Sequence, residues 1–165
     1  MADASIRLAV EGGGDFKAAM KAAESSVKLF NTEIKNLATG LTNTSAVQEQ
    51  TKQKITLLAG ASEAAKGKVS LLTSEYNKQR DKLNELAKAL ETASRENGEN
   101  SAEAIKAEKA LNNQTKVVND LGVKLSNAQK DADKFEKELK DLESQGNRLG
   151  SEFNSLDKEA RNVGD

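Results

Sequence analysis

The sequence predicts an all-α protein of long helices that pack on one another through heptad seams, with a short strand at its start. Three observations predict it. In three stretches between Phe16 and Val163, mostly apolar residues recur at alternating spacings of four and three, which keeps one face of each helix apolar. The chain contains no Pro to break a helix. Ala, Lys, Glu, Leu, Asn and Ser dominate, 31% of residues are charged, and the aromatics are four Phe and one Tyr. Such a composition suits long helices better than a core with large anchors.

The same composition excludes whole classes of function. The 165 residues include no His, Cys or Trp. Neither the usual zinc ligands nor a Ser-His or Cys-His nucleophile can be assembled from them, and a disulfide framework is ruled out. With 25 basic and 26 acidic residues the net charge is −1, whereas a nucleic-acid binder needs a basic face. No run reaches the ~20 apolar residues of a membrane span, and the N-terminus lacks the apolar core of a signal peptide. The length suits one domain. No catalytic, cofactor or metal site is expected, and the chain does not read as an enzyme. Neighbouring carboxylates such as Asp133 and Glu136 fit a solvated charged face, with no pocket to shift a pKa.

Residues 1–14 form the first unit. From Ser5 to Glu11 the pattern alternates, with Ile6, Leu8 and Val10 on one face and Arg7, Ala9 and Glu11 on the other. That is a short strand. A lone strand needs a partner for its backbone groups, so pairing with another chain is expected. Gly12, Gly13 and Gly14 follow as a flexible joint. They lack the Lys-Ser/Thr of a P-loop and the βαβ setting of a dinucleotide site.

Helix 1 is expected over 15–41, with Asp15 as its N-cap. Its seam is Phe16, Met20, Ala23, Val27, Phe30, Ile34, Leu37 and Leu41. Gly40 and Thr42 to Ser45 interrupt it, and Ser45 with Gln48 resembles a capping box for the next helix. Helix 2, expected over 45–96, carries Ile55, Leu58, Ser62, Ala65, Val69, Leu72, Tyr76, Gln79, Leu83, Leu86, Leu90 and Ala93. Arg95 to Asn100 reads as a turn around Gly98, and Ser101 as a cap. Helix 3, expected to run from there to Val163, begins its seam with Ala104, Ala107, Leu111, Gln114, Val118, Leu121, Leu125, Ala128 and Ala132. The seam continues through Phe135, Leu139, Leu142, Gly146, Leu149, Phe153, Leu156, Ala160 and Val163. A repeat of seven implies a left-handed supercoil. These packing residues, rather than any reactive group, are the candidate functional residues.

All three seams share one phase, so a continuous rod of ~220 Å is one architecture the pattern admits. The flanking charges favour another. Lys52, Lys54, Lys66, Lys68, Arg80 and Lys82 flank the second seam, against Glu75. Asp131, Glu136, Glu138, Glu143, Glu152, Asp157 and Glu159 flank the later third seam. Parallel self-association would set acid against acid there. Folding helix 3 back on helix 2 sets Leu72 against Leu125, Leu58 against Leu139 and Ser62 against Phe135. It also brings Lys52 near Glu143, Lys68 near Asp131 and Glu75 near Lys124. Helix 1 can fold back too, placing Phe30 over Ile55, Val27 over Leu58 and Met20 over Ala65. Ala59 and Ala61 widen the face it meets, which suits a three-helix coiled coil.

The order of these features carries a resemblance. A short strand and a glycine joint lead into DFKAAMKAAESSVKLFNTEIKNL (Asp15 to Leu37). QEQTKQKITLLAGASEAAKGKVSLLTSEYNKQRDKLNEL (Gln48 to Leu86) and RENGENSAEAIKAEKALNNQ (Arg95 to Gln114) follow. This resembles the N-terminal region of phage tail tape measure proteins; the strand, the Gly-Asp step, the Phe and the amphipathic helix are the telling parts. The resemblance implies a structural role in a virion tail, with synthesis and assembly in the host cytoplasm. Tape measure proteins lie in the tail tube and set its length. The implied partners are tail assembly chaperones, the tail tube protein and tail-tip proteins, with self-association through the same seams. At ~1.5 Å per residue the whole chain as one helix reaches ~250 Å, short for a long flexible tail, so it reads as part of such a protein. From another class, a coiled-coil adaptor or secreted helical effector also fits the heptads.

Overall fold

The computed structural model describes residues 15–37 and 44–162. Three helices account for almost all of them: α1 (Asp15–Asn36), α2 (Thr44–Asn97) and α3 (Ala102–Asn162). The expected strand, the glycine joint, Leu41 and Val163 lie outside the described residues.

Helix 1 ends earlier than its seam predicts. α1 stops at Asn36, and Leu37 sits in a bend, its N–H donating to the Ile34 carbonyl at 3.4 Å. A bond to the third residue back tightens a last turn and ends the regular ladder. Lys35 in that turn suits the negative end of the helix dipole. α2 begins at Thr44, so Ser45, expected as its cap, belongs to the first turn instead.

The turn between α2 and α3 rests on Gly98, whose φ is +90°. Its N–H donates to the Ser94 carbonyl at 3.0 Å, and its carbonyl accepts from the Ser101 N–H at 3.1 Å. Glycine enters this left-handed conformation without the steric cost of a Cβ. Ser101 Oγ then accepts from the Ala104 N–H at 3.1 Å and caps α3.

α3 runs along α2 in the opposite sense. Gln79 meets Gln114, Tyr76 lies over Gly122, and Ile55 and Thr51 lie over Gly146. These pairs fall within about one turn of the pairing in which Leu72 faces Leu125. α1 also packs on α2, with the Phe30 ring against Gly60. Among the described residues, no backbone pair of α1 and α3 comes within 8 Å. The core joins Leu58, Ala61 and Ala65 of α2 to Ala132 and Phe135 of α3, with Val27, Phe30 and Ile34 of α1 closing over it.

Candidate functional site: the helix packing surface

The α1 contact is built on small side chains. From Ala59 to Gly67 α2 reads Ala-Gly-Ala-Ser-Glu-Ala-Ala-Lys-Gly. Ala61, Ser62, Ala64 and Ala65 are buried there, and Leu71 and Leu72 close the stretch. A Cβ at Gly60 would stand 2.6 Å from Cε1 and Cζ of Phe30. The ring therefore fills a recess that only glycine leaves. This corrects the expected register, which put Phe30 over Ile55. Val27 and Ala65 line one groove, and Met20 and Leu72 another, so α1 as a whole sits farther along α2 than anticipated. Lys68 Nζ meets Glu24 at 3.4 Å across this contact.

The larger apolar residues of the predicted seams fall into three groups. Leu58, Leu72, Val118 and Phe135 are buried. On α1 and at its end, Phe16, Met20, Val27, Phe30, Ile34 and Leu37 are half-buried. So are Ile55, Val69, Tyr76, Leu83, Leu86 and Leu90 of α2, and Leu111, Leu121, Leu125, Leu139, Leu142, Leu149 and Phe153 of α3. Leu156 departs from the expectation, at 58% exposed. Counting from Thr51 beside Gly146, its counterpart would be Leu41, ahead of the start of α2 at Thr44. Leu156 has outrun the helix it should pack on.

One polar layer interrupts the α2–α3 seam. Gln114 is buried, and its Nε2 donates to the Gln79 backbone carbonyl at 2.9 Å and to Gln79 Oε1 at 2.8 Å. Gln79 Nε2 in turn donates to Glu75 Oε1 at 2.6 Å. A buried amide without such partners would cost roughly 1–3 kcal/mol. Satisfied, it favours the one register that keeps both glutamines together.

The ion pairs differ from expectation. Lys52 and Glu143 border one groove without closing to a salt bridge, Lys68 turns to Glu24 rather than Asp131, and Glu75 accepts from Gln79 rather than meeting Lys124. Among the described residues, the other bridges lie within one helix, as at Lys140–Glu136 and Arg161–Asp157. Short links between neighbouring turns form without bringing two long side chains across a groove, which costs rotamer entropy.

Among the described residues, no three His, Cys, Asp or Glu side chains converge in a way that could hold a metal ion. No described helix is long and apolar enough to cross a membrane. One groove runs between α1 and α3 over Leu72, with Phe16, Met20 and Leu121 beside Lys124 and Asp131. What the surface can do is hold helices. Sequence reading passed over Gly60, Ala64 and Leu71, which lie off the heptad seam. The density of Gly and Ala from Ala59 to Gly67 was the available signal. No protein-family model, curated protein or solved structure matches the chain.

Proposed function

We propose that the chain is a structural protein of a phage tail, the N-terminal part of a tape measure protein that sits in the tail tube and helps set tail length during assembly. α2 and α3 act as an antiparallel coiled-coil hairpin with α1 laid on its lower half. Its partners are tail assembly chaperones, the tube protein and tail-tip proteins. The observation that supports this most is one of scale. Helices of 54 and 61 residues carry side chains buried only in helix contacts. The alternating pattern of residues 5–11, the three glycines after it and the helix that carries Phe16 add the likeness to tape measure N-termini. An in-frame deletion in the phage that encodes the chain tests it. Removing seven heptads should shorten the tails, by ~75 Å for a stretch lying as one extended helix and by about half of that where the deletion is shared between the two arms of the hairpin, read by electron microscopy. Tails of unchanged length, in particles shown by mass spectrometry to carry the shortened chain, would overturn the proposal.

A further inference from the structure

We propose that Gly98 is a hinge, and that the chain opens there into one continuous helix whose α2 seam takes the α3 seam of a second copy. The first observation is phase. Beyond Leu90 and Ala93 the four-three spacing continues through Asn97 and Asn100 to Ala104 and Ala107. The turn has thus not shifted the heptad, and a straightened chain keeps one unbroken seam. The second is how little holds the turn. Gly98 is the one residue with positive φ among those described, and an added Cβ there would touch nothing within 4 Å. Straightening needs Gly98 to leave the left-handed region, residues 99–101 to turn helical and Ser101 Oγ to release the Ala104 N–H; no side chain is packed over Gly98.

The second copy is the occupant because each half already displays the other half's partner. The basic flank of α2 and the acidic flank of α3 suit each other equally within one chain or between two. Keeping the pairing of Leu72 with Leu125, the two-fold axis of the open dimer falls between Gly98 and Glu99. Asn97 of each copy then faces Asn100 of the other. Both asparagines are exposed in the closed turn. Between two copies they form two amide layers at the centre of the rod, and a buried Asn in a seam favours a defined pairing. The Gln79–Gln114 layer re-forms on either side. Exchange of an identical element is a low-cost route to a dimer, because no new kind of contact is required.

Gly98→Ala and Gly98→Asn separate the hinge from a general loss of stability. Ala disfavours the left-handed turn by roughly 5–30-fold, whereas Asn tolerates it. Light scattering on the full chain should show Gly98→Ala dimerising at least about tenfold more tightly than Gly98→Asn. The chain has no Cys, so labels can be placed singly: a donor at Ser70 in one preparation and an acceptor at Asn127 in another, both exposed. After mixed unfolding and refolding, Gly98→Ala should give energy transfer between the two preparations. Equal dimerisation of the two variants would overturn the proposal, as would dimers without transfer. The unaltered chain reads the same claim without a substitution. Transfer should rise with the concentration at which the two preparations are refolded together, and transfer that stays at zero contradicts the hinge.

Discussion

Two stretches of α2 carry the same heptad pattern and meet different fates. Between Leu58 and Leu72, where α1 lies alongside, Leu58, Ala61, Ser62, Ala64, Ala65, Leu71 and Leu72 are all buried. From Thr73 to Asn97 no α2 residue is buried, although Leu83, Leu86 and Leu90 continue the seam. Opposite that stretch α3 buries Ala104, Gln114 and Val118, one of them polar. The difference teaches what a heptad seam does and does not determine. It selects the face of each helix that meets a partner. A pair of helices leaves that face half open to water, and a third is needed to close it.

The largest effect that could break this contrast comes from leucine truncation. Leu72→Ala removes a side chain that is 1% exposed and should cost about 2–5 kcal/mol. Leu86→Ala, half-buried between two helices, should cost about 1–2 kcal/mol, in keeping with the smaller area withdrawn from water. Lys78→Ala, exposed, should stay within about 0.5 kcal/mol. Urea midpoints rank the three variants, and equal losses at Leu72 and Leu86 would erase the distinction between the stretches.

Glycine substitutions sharpen it with smaller effects of opposite sign. Gly60→Ala gains about 1 kcal/mol of helix propensity. It also drives a methyl into the Phe30 ring, where overpacking costs about 1–3 kcal/mol, so a net loss is expected. Phe30→Leu in the same chain should recover it. At Gly146 an added Cβ would rest 3.6 Å from Ile55 and Thr51, an ordinary contact. Gly146→Ala should therefore raise the thermal midpoint, by about 0.5–1 kcal/mol of stability.

The smallest net effect is expected at the polar layer, where the pair matters more than either member. Gln114→Leu alone leaves the Gln79 groups without their partner and should cost about 1–3 kcal/mol. Gln79→Leu with Gln114→Leu should return close to the original stability, since replacing both partners by apolar groups can be nearly neutral. A double variant as unstable as the single one would show that the layer is not a pairwise unit.

The helical class was legible because period and composition agreed along all three described helices. Four-three spacing, absence of Pro and good helix formers left no competing pattern between Phe16 and Val163. The position of α1 was not legible in the same way. A seam repeats every seven residues, so sliding one helix along another keeps apolar against apolar, and periodicity cannot choose among the slides. The choice fell to a local shape, the recess at Gly60 that admits the Phe30 ring. Ion pairs were not legible: the expected ones all ran between α2 and α3, whereas those that form among the described residues lie within one helix or, at Lys68, reach α1. Flank charge says which side of a helix is basic or acidic, but whether Lys68 reaches Glu24 or Asp131 depends on where α1 comes to rest. Leu156 belonged to the pattern and lost its burial to helix length, which spacing does not encode.

Hydrogen exchange along α2 tests most directly the claim that the third helix concentrates stability. In the full chain, amides from Leu58 to Leu72 should be the slowest, and those from Leu83 to Leu90 at least about tenfold faster, a difference of about 1.4 kcal/mol in opening. Phe30→Ala should speed exchange in the first stretch while leaving the second unchanged. Uniform protection along α2, or a loss spread equally over both stretches in Phe30→Ala, would contradict it.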